Sequence, residues 1–333
     1  MIVQPAVVAL LLSSGLVGAM VLYAAFFGVT ILRQWDISSG SDRQLVLERR
    51  TYLISSLLVW VFMLQIISLF LFVYTAEDLH SRFVGAMCAA GTLNVNGYGY
   101  PAFVLNIITC ILAGLWLLMN HADNRAYDYP LERKKFILLL VIVPFALAGS
   151  ILQAGYFLAM RPNIITSCCG SLFSADKSSI PGDMAALPHG PMMAFSLVTL
   201  ALLLITGSVF LIKRKGGWLF AFCAFAAFPI GAASLLSFVS LYFYELPSHH
   251  CPFCILKKEY GYVGYVLYIS LMGGIICGIG AGLLQPFRHI KSLALIIHTM
   301  TGHLAVFSMA CYALFAAISI WKMATADLTL GVL

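Results

Sequence analysis

Eight runs of apolar residues recur along the chain, each bounded by a short polar stretch and each long enough to cross a hydrocarbon core of roughly 30 Å. They cover residues 6–32, 51–75, 101–120, 137–160, 192–212, 218–244, 262–284 and 293–321. The runs are unbroken, without the alternating ten-residue segments that a lipid-facing β-barrel needs. The pattern therefore predicts an all-α, polytopic helical bundle with eight transmembrane helices, forming a single membrane domain over 1–333.

Composition agrees. Of 333 residues, 62% are hydrophobic and 10% charged, with a mean hydropathy of +0.97. Soluble domains are nearer 45–50% apolar and about 25% charged. The extreme N-terminus, Met1-Ile2-Val3-Gln4-Pro5, lacks a basic n-region, and the apolar run after it is too long for a signal peptide, so the first run is expected to be a retained span.

The net charge of +6 reflects topology and does not point to nucleic acid. Thirteen of the 19 basic residues fall in the loops at 33–50, 121–136, 213–217 and 285–292. Lys and Arg concentrate on the cytoplasmic side, so both termini are expected outside, in a bacterial-type inner membrane. The centres of the spans hold no Asp, Glu, Lys or Arg. Ion-coupled pumps, channels and voltage sensors keep such groups there, which argues against a coupled transporter.

The three long outward loops, 76–100, 161–191 and 245–261, carry Cys88, Cys168, Cys169, Cys251 and Cys254. Two of them share an order of aromatic helix end, cysteine, then Tyr-Gly-Tyr, and the third is a looser copy. Duplicated hairpins would gather the three cysteine loops on one face; enrichment of Tyr at membrane interfaces explains the same order.

The densest chemistry lies in "SHHCPFCILKKEYGY", residues 248 to 262. Cys251-Pro252-Phe253-Cys254 precedes the seventh span, where a helix N-terminus would favour thiolate, and Lys257 and Lys258 follow within a turn. A redox-active dithiol, a structural disulfide and a metal site all fit that spacing. His249 and His250 with Cys251 and Cys254 supply the soft set preferred by copper(I) or zinc. Vicinal Cys168 and Cys169 are strained as a mutual disulfide and suit pairing elsewhere. Cys88 makes the external count odd and is a candidate for a further disulfide.

"SLYFYELPSHHCPFCILKK" resembles the stretch around the first cysteine pair of the bacterial disulfide-bond-formation membrane protein B family, where Cys-x-x-Cys lies near a bound quinone. That resemblance implies that Cys251 and Cys254 are the quinone-side pair; Lys257, Lys258, Tyr260 and Tyr262 beside them are the candidate quinone-binding residues. Lys258 stands where that family carries an arginine. The loop order, Cys168 and Cys169 first and Cys-x-x-Cys two spans later, resembles vitamin K epoxide reductase-like proteins, though there the loop cysteines are spaced. The resemblance covers about residues 137–284.

The expected function is a membrane thiol–disulfide oxidoreductase. Cys251 and Cys254 would exchange electrons with a quinone, and Cys168 and Cys169 with a periplasmic or extracellular redox protein. Two alternatives stand beside it: a copper- or zinc-binding membrane protein using the same Cys/His cluster, and a non-catalytic subunit that anchors external electron-transfer proteins in a membrane complex.

Overall fold

The computed structural model describes residues 4–36, 39, 41–161, 166, 184 and 186–328. No strand occurs among the described residues. Eight helices are long and apolar enough to cross a membrane, each at the position of an expected span. They are α1 (Pro5–Gln34), α2 (Asp42–Asp78), α4 (Gly99–Asp123), α5 (Glu132–Leu158), α6 (His189–Lys213), α7 (Gly217–Ser234), α9 (Val263–Leu284) and α10 (Ala294–Thr325); two short helices, α3 (Ala89–Leu93) and α8 (Ser240–Tyr244), lie between them. The chain is a multi-pass helical membrane protein. Helix α2 starts well before its expected span because hydropathy marks where hydrocarbon begins, not where the helix does. Its first turns are amphipathic, with Gln44 and Leu47 buried and Arg43, Arg49 and Arg50 exposed.

The described residues form two compact units. The first comprises Met1–Asp78, Leu93–Ile164 and Phe287–His298. Here α1 packs on α2 and α5, and α4 packs on the same two, which closes a four-helix ring. Its core holds Phe62 edge-on to Trp116, with Leu58, Phe136, Leu139 and Ile142 around them. Lipid supplies no hydrophobic drive between helices, so hydrogen bonds and close packing must hold this ring. A chain of buried carboxamides runs through it: Gln65 Nε2 donates to Asn106 Oδ1 (3.0 Å), Asn106 Nδ2 to Gln153 Oε1 (2.9 Å), and Gln153 Nε2 to the Leu10 carbonyl (3.0 Å). All four helices are thereby stitched together.

At one end of this ring the α4–α5 hairpin closes on a buried ion cluster. Lys135 Nζ lies 3.0 Å from Asp123 Oδ2, 2.7 Å from Glu132 Oε1 and 3.0 Å from Asn120 Oδ1. Asp123 Oδ1 accepts the Leu131 amide, and Trp116 Nε1 donates to the Lys135 carbonyl. Lys135 stood among the loop lysines in the charge count, yet its side chain is fully buried.

The second unit comprises Leu79–Thr92, Ile165–Pro286 and Thr299–Leu333. Helix α7 packs on both α6 and α9. Gly274, Gly278 and Gly282 recur every fourth residue along α9, a small-residue seam that lets backbones approach. A side chain at Gly278 or Gly282 would run into Ala224 or Ala221 of α7. Helix α10 joins through Ser308, which donates to the Gly274 carbonyl, and Tyr312, which donates to that of Ala224 (both 2.7 Å). Helix α7 ends in a π turn, Leu235–Val239, whose residues are all buried and which leads directly into α8.

Candidate functional site

The second unit brings Cys88 together with Cys251 and Cys254. Their sulfurs all lie within 4.8 Å of one another and all three residues are buried. Cys88 Sγ is 3.3 Å from Cys251 Sγ, although 163 residues separate them in sequence. His249 Nε2 adjoins the cluster at Cys254 Sγ, 3.4 Å away. Three thiols and one imidazole therefore share one small space.

Each element of this site is fixed from a different helix. Tyr244, the last residue of α8, donates its hydroxyl to the Cys251 carbonyl at 2.5 Å. Tyr268 on α9 donates to the Pro252 carbonyl. These two phenols pin the Cys-Pro-Phe-Cys backbone at adjacent residues. The Tyr244 ring also meets His249 edge-on, with centroids 4.5 Å apart, and sets the imidazole against Cys254. The π turn opens the helix ladder, and the Leu236 carbonyl there accepts from His250 Nδ1 at 2.8 Å. A carbonyl only accepts, so Nδ1 carries the proton and Nε2 is the ring's acceptor. Burial, and then the neighbouring His189 and His249, hold His250 below its ordinary pKa of 6.5, which keeps the ring neutral near pH 7.

The Cys88 side is built from a tight loop. Phe83 and Ala86 close consecutive turns, and Cys88 opens α3 by accepting from the Gly91 and Thr92 amides. Gly85 has φ +87°, a left-handed conformation suited to glycine. Thr166 docks on this loop twice: its amide donates to the Val84 carbonyl (3.0 Å) and its hydroxyl to that of Gly91 (2.9 Å). Thr166 immediately precedes the Ser167-Cys168-Cys169-Gly170 segment in sequence. Cys168 and Cys169 themselves lie outside the described residues.

Lys257 Nζ donates to the Met87 carbonyl at 2.5 Å and so clamps the Cys-x-x-Cys segment to the Cys88 loop. Lys258 is exposed. Tyr260 stacks edge-on against Tyr244 at 5.1 Å, and burial, followed by the nearby Cys254, raises its phenol pKa. Tyr262 is half-exposed, has φ +57° and packs on Tyr265. The expected placement of the cysteine pair at a long helix's N-terminus is not what the chain does. Cys254 begins a three-residue 3-10 turn, a second follows at Lys258–Tyr260, and α9 starts only at Val263. Left-handed Gly261 and Tyr262 separate the second turn from α9, and so short a turn carries little aligned dipole.

Sequence reasoning passed over Tyr244 and Tyr268 because their hydroxyls act at long range on backbone atoms. Their one local signal is the density of tyrosines around the cysteine motif. Comparison of the chain with protein families, with curated proteins and with solved structures found no match.

Proposed function

We propose that this membrane protein is a thiol–disulfide oxidoreductase whose centre is the triad Cys88, Cys251 and Cys254, on the outward face of a bacterial inner membrane. The observation that carries the reading is the gathering of three sulfurs within 4.8 Å of one another beside an imidazole. One thiol, Cys88, touches Cys251, while the imidazole of His249 touches the other sulfur, Cys254. Exchange needs that division of labour: an attacking thiolate at one sulfur and a proton source at the one that leaves. With Cys251 and Cys254 oxidised, Cys88 thiolate attacks Cys251 Sγ and the Cys251–Cys254 bond breaks. Cys254 leaves as a thiol with a proton from His249, and a Cys88–Cys251 disulfide forms with no net change in electrons. Cys168 and Cys169 would then pass oxidising equivalents to a soluble partner, since the buried sulfurs of Cys88 and Cys251 are out of its reach.

A membrane quinone, when bound, supplies a two-electron, two-proton acceptor that restores the Cys251–Cys254 disulfide. The same unit contains an apolar cavity of about 280 Å³, lined by Phe238 and Val239 of the π turn with Leu271, Tyr312 and Phe315. Its size and polarity suit a quinone ring. Lys257, Lys258, Tyr260 and Tyr262 do not line it, so those four are proposed to act on the cysteine segment and not on the ring. Reduced protein in lipid nanodiscs, mixed anaerobically with a short-chain ubiquinone, is expected to lose the Cys251 and Cys254 thiols as quinol appears. A Cys251→Ser variant should form no quinol. Thiols that stay fully reduced while the quinone is untouched would remove the reading.

A second reading is favoured by one specific observation, the presence of a third cysteine sulfur beside an imidazole. Three cysteines with His249 make a donor set for copper(I) or zinc. Elemental analysis separates the two: metal at one equivalent per chain, lost in Cys88→Ser, supports metal binding, and metal-free protein that reduces quinone supports exchange.

A further inference from the structure

The first unit contains a cavity of about 650 Å³ beside the start of α2 and the α4–α5 hairpin, and the redox centre gives it no role. Four aromatic residues line it, Trp35, Tyr52, Tyr127 and Tyr129, together with polar and charged side chains. Glu132 and Ser55 also line it, at 4% and 3% exposure, and Glu132 Oε2 and Ser55 Oγ are buried without a hydrogen-bond partner. Buried polar atoms are nearly always paired, so two orphaned acceptors on one cavity wall need an explanation.

The charge count at the wall points the same way. The charged residues lining the cavity are Glu48, Glu132 and Arg49, two carboxylates to one guanidinium, and Lys135, which contacts Glu132, is shared with Asp123. Arg133, the next cation along, is engaged by the backbone carbonyl of Trp35 and meets no carboxylate in that bond. Tyr129 adds strain: its φ of +43° places a bulky residue in the left-handed region, and its carbonyl accepts the Glu132 amide. Strain of that kind persists where the surroundings hold a residue for a purpose. We infer that this cavity binds an organic ammonium ion, seated on Glu132 Oε2 and Ser55 Oγ and walled by Trp35, Tyr52, Tyr127 and Tyr129. Aromatic faces attract cations through their quadrupoles, and an unpaired carboxylate oxygen accepts an ammonium N–H. Exposed Arg49 on the same rim can take an anionic group next to the ammonium.

Two sources offer this chemistry, the headgroup of phosphatidylethanolamine and a free alkylamine. The test places full-length protein in nanodiscs of phosphatidylglycerol and titrates ethylammonium chloride against sodium chloride at equal ionic strength, reading the melting temperature. Saturable stabilisation by ethylammonium alone is expected, weakened at least tenfold in apparent affinity by Glu132→Gln and by Tyr127→Ala. Tyr127 is an exposed side chain, so its variant tests the wall without disturbing the ion cluster. In phosphatidylethanolamine discs, native mass spectrometry that finds retained lipid, with the ethylammonium shift abolished, assigns the headgroup as ligand. An undiminished shift there with no retained lipid assigns the free amine. Equal responses to ethylammonium and sodium in wild type, with no lipid retained, overturn the inference.

Discussion

Replacing Lys135 by methionine is expected to cost about 3–5 kcal/mol, a large share of the stability of a single unit. The side chain is fully buried and its ammonium meets Asp123, Glu132 and Asn120 at 2.7–3.0 Å. Methionine fills the volume but leaves two carboxylates facing each other with no cation, in surroundings that solvate neither. The hairpin itself is at stake, because Asp123 also holds the Leu131 amide at 2.7 Å. Lys134 supplies the control. It precedes Lys135 in sequence but is exposed, and Lys134→Met should change stability by no more than about 0.5 kcal/mol. Chemical unfolding in detergent, followed by the fluorescence of buried Trp116, compares the two. Equal midpoints for both variants would show that the ion cluster does not hold the hairpin.

Gly85→Ala is expected to dismantle the cysteine cluster from a position that carries no chemistry. With φ at +87° any side chain is disfavoured, by roughly 1–2 kcal/mol for an L-residue. More decisively, the added methyl would collide with the Thr166 backbone carbonyl, which cannot rotate aside as a side-chain tip could. Thr166 must retreat and lose its bonds to Val84 and Gly91. The Cys88 turn then loses its outer strap, and the Cys88 thiol, fully buried in the native protein, opens to water. Alkylation of Cys88 in membranes should accelerate at least tenfold in the variant, while buried Cys110, remote from this turn in sequence, stays slow. Unchanged protection of Cys88 would mean that Thr166 does not hold the turn.

The spans were legible because hydrocarbon thickness imposes itself on every residue in a run, and all eight appear where apolar runs predict them. The carboxamide chain was harder to read: Gln65, Asn106 and Gln153 lie in three separate spans, and their meeting depends on helix rotation. Cys251 and Cys254 were legible as a pair through their spacing. Cys88 was legible only as part of a loop echo, because a contact across 163 residues leaves no local trace. Lys135 misled for a related reason. Between Lys134 and Phe136 it reads as one more loop cation, and only the hairpin geometry shows it inside an ion cluster. The expected helix-dipole effect on the cysteines failed at Gly261 and Tyr262, whose left-handed backbone starts α9 late. Glycine at 261 permitted that break in advance, and tyrosine at 262 gave no sign of it.

The central claim is that Cys88, Cys251 and Cys254 form one exchange-competent centre, and a trapping experiment tests it most directly. In Cys254→Ser protein the leaving sulfur is gone, so oxidation in native membranes should lock Cys88 to Cys251, 3.3 Å apart. Peptide mapping under alkylating, non-reducing conditions should find that cross-link in most molecules, and wild type should yield Cys251–Cys254 with a minor Cys88–Cys251 fraction. A Cys254→Ser protein in which Cys88 and Cys251 both remain alkylatable after oxidation would contradict the account.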